Sequence, residues 1–105
     1  MYLSPQQLRI IQDFFRTKPV RKVYLFGSYA RGEATAESDI DLLAELDHTE
    51  PIGWNFFGWH EELATLLGNP VDLSTPQGLA PMYRPFIEAD RTLIYERSDW
   101  RQTAA

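Results

Sequence analysis

Apolar positions recur three and four residues apart near the start of the chain. Leu8, Ile11, Phe14 and Phe15 share one face and Arg9, Gln12 and Arg16 are left for solvent, which predicts a helix running to about Arg16. Its start is also marked: Ser4-Pro5-Gln6-Gln7 supplies an N-cap serine, a proline at the first helical position and a glutamine three residues after the cap, the pattern of a capping box. After Pro19 the periodicity changes. Val23-Tyr24-Leu25-Phe26 is apolar at every position and stops at Gly27, as expected of a central strand covered on both faces. Ser28 to Arg31 predicts a short helix ended by Gly32, followed by a polar loop over 33–38. From Asp39 to Leu46 the period is two, so Ile40, Leu42, Ala44 and Leu46 line one face of a second strand and Asp39 and Asp41 the other.

Residues 53–67 predict a longer helix, with Ile52, Phe56, Trp59, Leu63 and Leu66 at helix-face spacing and Gly68 as its stop. Trp54, Phe57 and Ala64 fall beside that stripe. The extra aromatics either fill a wide core or form a protein-binding patch. Pro70 to Ser74 predicts a third short strand, Pro81 to Ala89 a last short helix and Thr92 to Tyr95 a final extended segment, with a frayed tail from about residue 97 to 105. Helices alternating with strands indicate an α/β (α+β) fold, a small mixed sheet with helices packed on it.

Composition narrows the class. A chain of 105 residues is a common single-domain size, and its 44% hydrophobic content suffices for a core. Without cysteine, disulfides and thiolate metal sites are excluded, which suits a reducing compartment. No apolar run approaches the roughly 20 residues of a membrane span, so the expected location is cytoplasmic. A net charge of −5 with no basic stripe disfavours unaided binding to nucleic acid. An acidic chain can still bind a nucleotide where divalent cations neutralise concentrated carboxylates.

Asp39 and Asp41, at i and i+2 on a strand, project the same way with α-carbons about 6.5 Å apart. Alone, such a pair more often marks a solvent-facing strand edge. Close like charges raise each other's pKa and call for a compensating cation, and Mg²⁺ prefers oxygen ligands of this kind. Gly27-Ser28 closes the preceding strand and opens a helix, so backbone N–H groups and a hydroxyl become available to an anion, with glycine permitting close approach. A Gly-Ser, ten-residue gap, Asp-x-Asp match occurs by chance in on the order of one chain in a thousand of this length.

At these residues the sequence resembles a known family. GSYARGEATAESDIDL, Gly27 to Leu42, is similar to the signature of the minimal nucleotidyltransferase domains of the DNA polymerase β superfamily, especially the antitoxin half of prokaryotic MNT–HEPN toxin–antitoxin pairs. The resemblance covers nearly the whole chain and implies a polymerase β-like nucleotidyltransferase fold, with residues 1–105 as a single domain. It also implies a third carboxylate on a later strand, at Asp72, although an Asp beside a proline turn is by itself more often a turn or cap residue. Carried over by resemblance, Asp39, Asp41 and Asp72 hold two Mg²⁺ ions, Gly27 and Ser28 hold the outer phosphates of ATP, and Asp72 takes the proton of the attacking hydroxyl. Arg31 is a nucleotide-binding candidate through its guanidinium, or else a surface ion pair with Glu33 or Glu37. His48 and His60 lack partners at ligand spacing, and Glu45 shares the aspartate face further from the sheet end.

The family's partner is a HEPN-type toxin silenced by AMP transfer to a tyrosine, so the expected function is an Mg-dependent protein adenylyltransferase acting as antitoxin. The alternative is a binding module that masks the toxin sterically around a vestigial site. Transfer to a small molecule is disfavoured because no substrate domain is evident after residue 95, and the cleft is expected to stay open or be completed by a partner, as a homodimer or a hetero-oligomer with the toxin.

Overall fold

A computed structural model describes residues 1–78 and 81–97. In chain order its regular elements are α1 (Pro5–Arg16), β1 (Val20–Phe26), α2 (Ser28–Arg31), β2 (Ile40–Leu46), a 3₁₀ turn (Trp54–Gly58), α3 (Trp59–Leu67), β3 (Val71–Ser74), two 3₁₀ turns (Pro76–Gly78 and Pro81–Tyr83), α4 (Arg84–Asp90) and β4 (Thr92–Glu96). The four strands form one mixed sheet in the order β3-β2-β1-β4. β1 runs antiparallel to both β2 and β4, and β2 runs parallel to β3. A parallel neighbour needs a long crossover, and the segment from the first 3₁₀ turn through α3 supplies it.

The capping box forms in full: Ser4 Oγ accepts from the Gln7 N–H at 3.1 Å, and Gln7 Oε1 accepts from the Ser4 N–H at 2.9 Å. Ile11 and Phe15 of α1, with Trp59 and Leu63 of α3, cover the sheet face built from Val23, Leu25, Ile40, Leu42, Ala44 and Tyr95, and all ten are buried. Phe15 meets Trp59 edge-to-face at a centroid distance of 6.4 Å, a favoured aromatic geometry. Gln12, expected in solvent, is half-buried and donates to the Ile94 carbonyl at 2.9 Å, tying α1 to β4.

Several boundaries differ from the sequence reading. β1 starts at Val20 rather than Val23, with register shifts against both neighbours. The helix expected over 53–67 is a 3₁₀ turn followed by an α-helix. A 3₁₀ turn has three residues per turn, not 3.6, so a single helical phase drawn from Ile52 does not carry through. Leu66 is exposed and Leu67 packs against the core instead. Trp54 and Phe57 are 86% and 64% exposed, so they do not fill the core. Residues 98–105 of the expected frayed tail lie outside the described residues. Arg97 is held in place: its N–H donates to the Arg21 carbonyl at 2.8 Å, and its Nη1 lies 3.1 Å from Asp47 Oδ2.

The opposite sheet face carries the candidate chemistry. Strand pairing sets Phe26, Tyr24 and Lys22 across from Asp41, Leu43 and Glu45, and Asp72 beside Asp41. α4 packs over part of this face through buried Ile87, while the Arg91 guanidinium, just past its end, lies 4.5 Å from the Tyr24 ring centroid.

Candidate active site

β1 ends at Phe26, the register partner of Asp41, and the chain turns sharply at Gly27 with φ 74° and ψ −154°. That backbone region is essentially restricted to glycine. The turn starts α2, whose Ala30 and Arg31 N–H groups donate to the Gly27 carbonyl at 3.0 and 3.1 Å. The N–H groups of Ser28 and Tyr29, in the first turn, have no carbonyl behind them within the helix. A Cβ at Gly27 would overlap Asp41 Oδ2, so the corner and the carboxylate are in direct apposition.

Tyr29 anchors this corner. Its ring is buried and its hydroxyl accepts from Asn69 Nδ2 at 3.4 Å, while the same amide donates to the Ala36 carbonyl at 3.2 Å. Asn69 precedes β3 by two residues, so one side chain links the corner, the loop before β2 and the entry to β3. Ser38 caps that loop, its Oγ accepting from the Thr35 N–H at 2.8 Å.

Asp41 and Asp72 come from two adjacent parallel strands, β2 and β3. Asp41 and Asp72 are register partners, hence about 4.8 Å apart in the pairing direction. Asp39 lies one residue before β2 and is exposed, as is Asp72, whereas Asp41 is half-buried. Burial, then Asp72, then Asp39 push the Asp41 carboxyl up to about 6, with the Arg31 cation pulling the other way. The site thus concentrates more negative charge than its surroundings neutralise. Among the described residues no three carboxylates or imidazoles are already gathered as a ligand set, so a shared cation requires these side chains to turn toward it. An all-oxygen donor set carrying uncompensated charge fits Mg²⁺.

Arg31 makes ion pairs with Glu33, through Nε, and with Asp90, where Nη1 lies 2.6 Å from Oδ2. The pair with Glu33 is the surface reading made from the sequence; Asp90, at the end of α4, is a partner the sequence could not reveal. Both hydrogen bonds raise the Arg31 pKa. Glu37 forms no ion pair among the described residues, and His60 sits 4.0 Å from Glu61 in an exposed pair. Glu45 lines a separate groove of about 180 Å³ with Leu43, Arg84 and Arg91.

A glycine-serine corner at a strand end, faced by aspartates from the next two strands, defines a protein of the nucleotidyl-transferring class. The chain belongs to the nucleotidyltransferase domain family, whose model matches residues 6–94. It is 40% identical over 89 residues to a Methanocaldococcus jannaschii relative provisionally named protein adenylyltransferase MJ1379, covering 83% of this chain and 84% of the relative. It is also 44% identical over 54 residues to the Thermococcus cleftensis protein adenylyltransferase MntA, covering 51% of this chain and 54% of that protein. Among solved structures, a toxin–antitoxin with AMP-PNP aligns at TM-score 0.71 and 19% identity over 91% of this chain and 78% of that one. A tri-AMPylated Shewanella oneidensis HEPN toxin in complex with MNT antitoxin aligns at TM-score 0.65 and 17% identity, covering 93% and 76%. At these identities the two structures establish the shared fold.

Proposed function

We propose that this nucleotidyltransferase is a protein adenylyltransferase that moves AMP from ATP to a hydroxyl of a HEPN-type toxin, a tyrosine hydroxyl by the resemblance, and so acts as an antitoxin in the cytoplasm. The observation that carries the reading is the apposition of Asp41 to the Gly27 turn with Asp72 alongside. The relatives named protein adenylyltransferases and the fold neighbours crystallised as toxin–antitoxin complexes support it.

In this reading residues 1–105 act as a single domain. Gly27 and Ser28 cradle the outer phosphates with backbone N–H groups and the serine hydroxyl. Asp39, Asp41 and Asp72 would hold magnesium, which supplies charge neutralisation at the triphosphate and polarises it when bound. Arg31 adds a cation at the edge of the cradle. The acceptor oxygen attacks the α-phosphorus, the bond from that phosphorus to the bridging oxygen breaks, pyrophosphate leaves with the electron pair, and Asp72 takes the hydroxyl proton.

The partner has a candidate docking surface. The Trp54 and Phe57 rings lie tilted against each other with centroids 5.8 Å apart, and both stand in solvent. The stretch from Gly32 to Tyr83 that contains them has no Lys or Arg and holds ten of the fifteen acidic residues. Exposed aromatics in acidic surroundings suit a basic protein face.

The test uses ATP labelled at the α- or the γ-phosphate, Mg²⁺ and the protein encoded beside this chain. Transfer of the α-label alone, lost in Asp41→Asn, supports adenylylation. Inhibition of the partner without transfer of either label would replace it with steric masking, and transfer of the γ-label would make the protein a kinase.

A further inference from the structure

Arg31 stands on a four-residue helix that ends at Gly32, yet it is held from two directions. Glu33, two residues on, takes Nε, and Asp90, fifty-nine residues away at the end of α4, takes Nη1 at 2.6 Å. The same turn is pinned a second time, because Arg91 places its guanidinium 4.5 Å from the Tyr24 ring centroid and its N–H on the Ile87 carbonyl at 2.9 Å. Tyr24 stands on β1, beside the strand that carries Asp41. The contact with Asp90 therefore joins the last turn of α4 to the phosphate cradle.

A guanidinium has five N–H donors in a rigid planar fork. Two carboxylates use Nε and one proton of Nη1, and among the described residues nothing engages Nη2. Arg31 can thus keep both partners and still offer two or three N–H groups to a phosphate, while its charge already acts on Asp41. A latch that had to break on binding would need those same donors. The free arm argues for a brace.

We propose that Asp90 is a positioning residue for the nucleotide site: together with Glu33 it fixes the Arg31 fork so that Nη2 is free to meet an oxygen of the triphosphate. The inference rests on the reading of Arg31 as a nucleotide contact. A flexible arginine spends side-chain entropy on every ordered contact, and fixing it beforehand removes that cost from binding.

Calorimetric titration with AMP-PNP and Mg²⁺ and steady-state kinetics of AMP transfer from ATP, on wild type, Asp90→Ala, Asp90→Glu, Arg31→Ala and the double variant, test the proposal. Asp90→Ala is expected to weaken AMP-PNP binding and raise KM for ATP about fivefold, with kcat reduced less than twofold. Asp90→Glu should recover at least half of that affinity, and the double variant should be no worse than Arg31→Ala. Loss of one exposed ion pair shifts the melting temperature by only a few degrees, so a merely structural role would move the melting temperature without moving KM. If Arg31→Ala weakens binding while Asp90→Ala does not, the positioning role falls and the nucleotide reading stands. If Arg31→Ala leaves AMP-PNP binding unchanged, or wild type does not bind it, the two fall together.

Discussion

Gly27 and Asp41 are in direct apposition: a Cβ at the turn would overlap the Asp41 carboxylate, so any side chain there displaces that carboxylate. A backbone φ of 74° at Gly27 adds a second penalty for a side chain. Gly27→Ala is therefore expected to cost about 2–4 kcal/mol of stability and to weaken AMP-PNP binding at least tenfold. Chemical denaturation and calorimetry on the same sample check both, and a stable variant with unchanged binding would show that the corner is not fitted to the carboxylate.

The raised pKa of Asp41 fixes a pH dependence with a definite sign. Its folded-state value of about 6 lies above the ordinary 3.8, so the folded chain holds the proton more tightly than the unfolded chain between those values. Ionised Asp41 consequently destabilises the metal-free fold increasingly from about pH 4 to pH 6, and fully above. Asp41→Asn should stabilise the metal-free protein above pH 6 by about 1–2 kcal/mol, after allowing for solvent at this half-buried position, and the gain should disappear below about pH 4. Thermal melts in EDTA across that range would show it.

Asp47 behaves in the opposite sense. Hydrogen bonds from the Thr49 hydroxyl at 2.6 Å and its N–H at 3.1 Å, with the nearby Arg21 and Arg97, hold its carboxyl below the ordinary range. The unfolded chain there binds the proton more readily, so the stability Asp47 contributes is present above the unfolded pKa and is lost as pH falls through the folded one. Asp47→Asn should destabilise at pH 7 and match wild type under strong acid, which melts at the two extremes would reveal.

Two tryptophans five residues apart have different tasks. Trp59 is buried against Phe15 and Phe56, and Trp59→Ala should cost about 3–5 kcal/mol. Trp54 is 86% exposed, and Trp54→Ala should change stability by less than about 0.5 kcal/mol while weakening association with the proposed toxin partner at least tenfold. Urea melts and a binding titration separate the two effects.

The features legible in the sequence are local ones. The capping box at Ser4, the strand ending at Gly27 and the alternation that sets Asp41 against Ile40 and Leu42 each need only a few neighbouring residues, and the structure shows each of them. Asp72 became a site candidate only by resemblance, because its place beside Asp41 depends on parallel pairing across thirty-one residues. Asp90 beside Arg31 and Arg97 beside Asp47 were invisible for the same reason: no local period encodes a contact between distant side chains. The helix expected over 53–67 loses its phase where its first turns tighten to 3₁₀ geometry, and a segment apolar on several sides does not tell which aromatic will meet solvent.

In the proposed reaction Asp39, Asp41 and the Gly27-Ser28 corner share cations with one polyphosphate. Calorimetric titration of AMP-PNP into the protein, with Mg²⁺ and again with EDTA, for wild type and Asp41→Asn, measures that sharing without a partner protein. Binding that requires Mg²⁺ in wild type and is lost in Asp41→Asn is the predicted result. Equal affinity in EDTA, or in Asp41→Asn with Mg²⁺, would contradict it.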